Sequence, residues 1–224
     1  MVLIATLIIS GCSNSAENTS GSDNQQSKEV VSKNWLDAKS DAIEAEGKAA
    51  FESLVPDYDE FEDTGYYSGP KNELPELNAK LTNGYSITFT TSLVSADARE
   101  VTDDFLFHPM IFVSYVGRKW AFIESIYLKI GEDPKEFKFA ITPIRRVLNP
   151  LVAELAPVYI SDEDINFLSK IFNYNEVQIR YYDTEQVIDD TSLSIVELNL
   201  LKKILIAYRY MYQNKLLATR PIVQ

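Results

Sequence analysis

Alternating apolar and polar residues dominate the middle of this chain, and a repeat of two residues indicates β-strands. The pattern predicts four strands, at residues 85–91, 111–116, 119–130 and 137–141. Gly117-Arg118 has the character of a tight hairpin turn, and residues 131–135 contain the next turn. Residues 119–130 are apolar on both faces, which is typical of a strand in the centre of a sheet. These short connections predict an antiparallel meander.

Three segments have the periodicity of helices, at residues 34–54, 161–172 and 194–212. Ser161 is the expected N-cap of the second helix, and Ser194 with Glu197 forms a capping box ahead of the third. Residues 176–182 alternate again and predict one later strand, whereas residues 56–75 have the composition of an irregular surface segment. We therefore expect an α+β fold, in which an antiparallel sheet of about four meander strands plus the later strand packs against N- and C-terminal helices.

The N-terminal segment differs from everything that follows it. Residues 2–9 are apolar, and Ser10, Gly11 and Cys12 come directly after them. This run is far shorter than the roughly 20 residues of a membrane-spanning helix, whereas a short apolar segment followed by small residues is typical of a secretory signal. With Ile9 ahead of the two small residues and the cysteine, the sequence resembles the lipobox of bacterial lipoproteins.

The resemblance implies cleavage between Gly11 and Cys12, diacylglycerylation of the Cys12 thiol and acylation of the new amino terminus, with palmitate as a typical chain. Two acyl chains hold a protein on a membrane far more firmly than one. The mature protein would then lie on the extracytoplasmic face of the cell membrane or the outer membrane. The expected organisation is a signal peptide at 1–11, a lipidated cysteine and disordered tether at 12–33, and a single globular α+β domain at 34–224.

The polar composition of residues 13–33 supports the tether, because such a segment cannot bury enough apolar surface to offset its ordering entropy. The formal net charge of the chain is -12, so nucleic acid is repelled and is not an expected partner. Cys12 is the only cysteine, and lipidation would leave the mature protein without a thiol or a disulfide. No cofactor is expected.

His108 and an acidic cluster are the candidates for a catalytic or metal-binding role. His108 is the only histidine, and we interpret it as a loop or edge residue rather than a general base. Residues 57–63 are densely acidic and could hold calcium. Phe61 and Glu62, however, occupy the positions where a calcium loop needs an oxygen ligand and a glycine. We therefore expect a solvated acidic loop, and assign no catalytic or metal-binding residue.

Two further pairs are candidates for contacts with other molecules. Arg145-Arg146 could bind a phosphate or carboxylate, but ion pairs with neighbouring acids are the favoured interpretation in so acidic a chain. Tyr66-Tyr67 lies among Gly, Ser and Pro, which predicts an aromatic loop. Its rings form either a possible interaction surface or a cover folded down over the core.

These observations favour a lipid-anchored cell-envelope protein with a noncatalytic domain that binds a protein or surface partner. One alternative is a wall-directed hydrolase that uses Asp or Glu, because paired carboxylates suffice for glycoside hydrolysis. The other is a small solute-binding lipoprotein. It is disfavoured because solute receptors usually have two α/β lobes, and alternating βαβ patterns are absent from this sequence.

Overall fold

The computed structural model describes residues 35–38, 41–59, 64–69, 85–96, 106–139, 143–184 and 186–217. The predicted lipobox with Cys12, the predicted tether, residues 60–63 of the acidic cluster and the end of the strand predicted at 137–141 lie outside these residues. No helix in the described part of the chain is long and apolar enough to cross a membrane.

Ten strands and three α-helices make up the described structure. The strands are β1 (Val55–Asp59), β2 (Thr64–Ser68), β3 (Tyr85–Ala96), β4 (Leu106–Gly117), β5 (Ser125–Ile130), β6 (Asp133–Lys138), β7 (Ile144–Val147), β8 (Val152–Tyr159), β9 (Val177–Tyr182) and β10 (Val187–Ser192). The helices are α1 (Asp41–Glu52), α2 (Asp162–Leu168), which continues as a 3-10 turn over Ser169–Asn173, and α3 (Ile195–Gln213). The α+β class is confirmed.

The strands form two antiparallel sheets. One has six strands in the order β1-β2-β3-β4-β8-β7, and the other has four in the order β10-β9-β5-β6. The longest pairing joins β3 to β4, from Tyr85 opposite Gly117 to Ala96 opposite Leu106. The predicted turn between β5 and β6 is confirmed, and β5 is central in its sheet as expected.

The hairpin predicted at Gly117-Arg118 is wrong, because β4 and β5 belong to different sheets. Residues 118–124 cross from one sheet to the other instead of pairing. Phe122 has a positive φ of 54°, a backbone conformation that interrupts a strand at a residue with a bulky side chain. Only Ile123 of this segment is buried, whereas Phe122 is exposed, so the apolar pattern does not mark a strand here. The predicted meander is therefore divided between the two sheets.

Other differences concern elements whose sequence lacks clear alternation. Residues 55–59 and 64–68 pair as a hairpin, so the segment predicted to be irregular contains two strands. Strands β7, β8 and β10 were not predicted: β7 is exposed at every position and β10 is an edge strand rich in polar residues. The first helix begins at Asp41, and Trp35–Asp37 form a turn before it.

Helices α1 and α3 pack on the side of the larger sheet, as predicted, whereas α2 contacts β6 of the smaller sheet through Phe167 and Phe137. Helix α3 lies against β3 and β4, and α1 packs against α3. Gly47 allows the two helices to approach closely, since a Cβ at this position would lie 2.8 Å from the Tyr210 Cβ. The capping box of Ser194 and Glu197 is confirmed, and the Phe89 N–H of β3 also donates to Glu197 (3.1 Å). One carboxylate thus caps α3 and joins it to the sheet.

The first described turn is held on α3 by polar contacts. The buried Arg209 guanidinium lies 4.6 Å from the centre of the Trp35 ring and donates to the Ala38 carbonyl. Gln213 Nε2 donates to the Leu36 carbonyl at 2.7 Å. The Trp35 ring stacks on Phe172, with centroids 5.6 Å apart. These contacts hold residues 35–38 on α3 and on the 3-10 turn.

Candidate functional site

The outer face of the four-stranded sheet carries aromatic and charged side chains close together. Along β5 and β9 every second side chain faces the core, so Ile126 and Ile179 are buried while Tyr127 and Tyr182 face outward and are half-buried. We call this surface the tyrosine face; it consists of Tyr127, Lys129, Glu136, Lys138, Arg180, Tyr182 and Asp190. The pairing of β5 with β9 sets its register, with Ser125 opposite Tyr182.

Two tyrosine rings occupy the middle of the tyrosine face. The centroids of Tyr127 and Tyr182 are 5.0 Å apart, and the ring planes are inclined by 57°, an arrangement favoured by the ring quadrupoles. Desolvation raises the pKa of Tyr127, and a hydrogen bond to Glu136 raises it further. Tyr127 therefore presents a neutral hydroxyl group beside the Glu136 carboxylate.

Charged side chains on the tyrosine face are paired with one another. Arg180 Nε donates to Asp190 Oδ2 at 2.9 Å, and hydrogen bonds to Tyr182 and Asp190 raise the pKa of Arg180. Lys138 Nζ lies 3.8 Å from a Glu136 oxygen. These pairs are partly exposed and contribute little to stability, but they place charges of both signs side by side on this face.

Two open cavities adjoin on the tyrosine face and share its tyrosines. The larger has a volume of about 410 Å³ and is also lined by Glu124, Glu136 and Asp183. The smaller, of about 130 Å³, lies over Tyr127, Arg180 and Tyr182. The larger volume falls within the range of ligand sites, and both cavities open to solvent along one side. The arrangement can hold a chain laid across the sheet.

The structure places His108 differently from the prediction. It lies in β4 opposite Val94, not in a loop before a strand, although it is exposed. Desolvation lowers the pKa of His108, and the nearby Asp162 opposes this shift. Within the described ranges no group of three or more His, Cys, Asp or Glu residues is arranged to hold a metal ion.

Tyr66 and Tyr67 lie in strand β2, so the predicted aromatic loop is wrong. The Tyr67 ring is buried against Phe51 (5.2 Å) and Phe107 (4.9 Å), and this burial raises its pKa. Tyr67 therefore belongs to the core, in agreement with the alternative that its ring folds down. Tyr66 is half-buried, and its part in an interaction surface stays a prediction.

Arg145 forms the ion pair that the sequence favoured. Its Nε lies 3.4 Å from the buried Glu154 Oε2, while Glu154 Oε1 accepts hydrogen bonds from the backbone N–H groups of Ala121 (2.6 Å) and Phe122 (2.9 Å). The role of Glu154 could not be predicted from the sequence, because strand β8 lacks clear alternation and its partners are distant. Arg146 is exposed and has no ion pair with the described residues.

The described residues form an α+β fold of two antiparallel sheets, the smaller of which presents an aromatic and charged face. No protein family model, no curated protein and no solved structure matches this chain. An inference of function rests on the tyrosine face and on the resemblance of residues 9–12 to a lipobox.

Proposed function

We propose that this protein is a lipid-anchored, noncatalytic binding protein on the extracytoplasmic face of the cell envelope. In this proposal the tyrosine face binds a protein or another surface partner. The observation that carries the binding function is the pair of adjoining open cavities that share Tyr127 and Tyr182. The proposed location in the cell rests on the resemblance of residues 9–12 to a lipobox.

The chemistry of the tyrosine face suits a macromolecular partner. Tyrosine rings offer a large contact area at a low cost in conformational entropy, and they are enriched where proteins bind tightly. Glu136 and Lys138 at the larger cavity supply an acceptor and a donor that can set the orientation of a bound chain. Small-molecule sites usually enclose most of the ligand surface, whereas these cavities are open, which favours an extended partner over a free solute.

A second candidate function has one observation in its favour. Glu124, Glu136 and Asp183 all line the larger cavity. Most glycoside hydrolases use two carboxylates that flank the scissile glycosidic bond. This supports the wall-directed hydrolase as the alternative. The test is whether the full-length protein releases soluble sugar from purified cell wall. Release by the wild type that is abolished in Glu136→Gln would favour the hydrolase over the binding protein.

The proposal is tested by affinity capture from the native envelope with the anchor intact. The wild type is compared with a Tyr127→Ala/Tyr182→Ala variant and with Tyr159→Ala, a matched control at an exposed tyrosine on the other sheet. We expect one protein to be enriched by the wild type and the control and lost with the double variant, while circular dichroism shows all three folded. Equal capture by all three, or co-purification of only a glycan or small molecule, contradicts the proposal.

A further inference from the structure

Two turns lie side by side at one end of the larger sheet. Gly117 at the end of β4 pairs with Val152 of β8, which pairs in turn with Val147 of β7. The crossing segment after β4 and the turn between β7 and β8 therefore emerge at the same end. We call this surface the basic tip; it consists of residues 118–122 and 145–150.

Large apolar side chains are exposed on the basic tip. Phe122 is 49 % exposed, Leu148 54 % and Val147 73 %, and Trp120 lies beside Phe122 with ring centroids 6.4 Å apart. Large apolar side chains are exposed at other places too, such as Ile195 and Val196 at the start of α3. The exposed residues of the basic tip differ because they are grouped with a tryptophan and with basic residues on two adjacent segments, which marks a surface that meets another apolar phase.

The charge of the basic tip is opposite to that of the whole chain. Residues 117–123 and 144–153 contain four basic residues and no Asp or Glu, in a chain of net charge -12. Arg118, Lys119 and Arg146 are exposed and form no ion pair with residues that the structure describes. Only Arg145 is neutralised, by Glu154. The tip is thus a local positive region on an acidic protein.

The basic tip is held in place by contacts behind it. Glu154 fixes the backbone at Ala121 and Phe122, and the Tyr115 hydroxyl donates to the Lys119 carbonyl at 2.9 Å. The Arg145 guanidinium lies 4.9 Å from the centre of the Phe122 ring. Phe122 keeps its positive φ because this surrounding network determines it. The exposure of its ring is therefore built into the fold.

We propose that the basic tip docks on an anionic lipid surface. The apolar rings and aliphatic side chains enter the boundary between headgroups and acyl chains, and the basic residues pair with lipid phosphates around them. A lipid surface is favoured over an acidic polypeptide added to the β7 edge because Phe122 and Leu148 lie outside the strands and Val147 is the last residue of β7. The proposed anchor at Cys12 would keep such a surface within reach, but the docking itself needs no anchor.

Trp120 allows a local test, because the chain contains only two tryptophans. The full-length chain is prepared with Cys12→Ser and Trp35→Phe, so that Trp120 is the sole reporter. It is mixed with vesicles of phosphatidylglycerol and phosphatidylcholine in equal parts, with or without brominated acyl chains. We expect a blue shift of Trp120 emission and quenching by bromine. Binding to vesicles of phosphatidylcholine alone should be at least about tenfold weaker than binding to the mixed vesicles, since each basic residue of the tip gains attraction only from an anionic surface.

Matched variants separate the tip from the rest of the chain. Val147→Ser/Leu148→Ser should weaken vesicle binding, measured by the quenching of Trp120, at least about tenfold. The control Ile195→Ser/Val196→Ser also removes two exposed apolar residues, and it should leave this binding unchanged. Co-sedimentation with vesicles while Trp120 remains unquenched would mean that only the N-terminal segment binds, and this overturns the proposal. A Trp120 response to an acidic polypeptide but not to vesicles overturns it as well. Neither outcome depends on the tyrosine face.

Discussion

Replacing Glu154 by glutamine tests how the crossing segment is held between the two sheets. Glu154 is 2 % exposed, and one of its oxygens accepts both backbone N–H groups while the other faces Arg145. Glutamine has nearly the same shape and keeps the accepting oxygen. Its amide NH₂ group, however, would face the Arg145 guanidinium, so that two donors meet without an acceptor.

The expected cost follows from the contacts that change. A hydrogen bond to a charged group contributes about 1.5–3 kcal/mol, against about 1 kcal/mol for a neutral one, so the two bonds together lose about 1–4 kcal/mol. The partly exposed Arg145 pair adds up to about 1 kcal/mol. We therefore expect Glu154→Gln to lower the free energy of unfolding by about 1–5 kcal/mol. Glu154→Ala should cost more, because it leaves two buried N–H groups without an acceptor.

Urea denaturation followed by tryptophan fluorescence measures this change, and hydrogen exchange locates it. The amides of Ala121 and Phe122 should exchange faster in Glu154→Gln, while amides of α3 change only through the global stability. Arg145→Met is the matched partner for a double-mutant cycle, in which a coupling of about 1 kcal/mol is expected. A Gln variant within about 0.5 kcal/mol of the wild type, with unchanged exchange at these two amides, would refute the role given to Glu154.

Three further predictions concern the helices and the first turn. Gly47→Ala should destabilise the protein by about 1–2 kcal/mol despite the better helix propensity of alanine, because the added Cβ meets Tyr210 at 2.8 Å; urea denaturation measures this. In Asp164, desolvation alone would raise the pKa, but hydrogen bonds from Lys135 and the helix cap prevail and lower it below 3.8. The stabilisation from Asp164 is thus present above its unfolded pKa and lost as the pH falls through the lower folded pKa. Asp164→Asn should therefore be less stable at neutral pH and show a flatter loss of stability below about pH 4 in urea titrations. Arg209→Met should lower the free energy of unfolding by about 2–4 kcal/mol and speed limited proteolysis at the start of the domain. An unchanged free energy of unfolding would contradict the close approach of α1 to α3 in the case of Gly47→Ala. For Asp164→Asn and Arg209→Met it would contradict the stabilising role given to the contacts that these variants remove.

Local chemistry allowed several elements to be predicted from the sequence. The caps at Ser161 and Ser194 depend on side chains three residues away, and both capping boxes are present in the structure. Strand β9 was predicted from its alternation, and Val177, Ile179 and Tyr181 are buried as expected. These features need no knowledge of distant residues, so the sequence alone determines them.

The features that were missed depend on distant partners. Residues 119–124 have the apolar pattern of a strand, yet they cross between sheets because Glu154, more than thirty residues away, takes their N–H groups. Tyr67 has loop-like neighbours, but pairing with β3 and packing on Phe51 bury it. Tyr127 was placed on a strand, but only the pairing of β5 with β9 brings it beside Tyr182 and creates the candidate site.

The proposed anchor is tested most directly by mass spectrometry of the N-terminus of the protein purified from its native membrane. We expect the mature chain to begin at Cys12 and to carry the mass of a diacylglyceryl group on the cysteine sulfur, with residues 1–11 removed. An unmodified Cys12 thiol, or a chain that retains residues 1–11 in cells that possess the processing enzymes, would contradict the central claim.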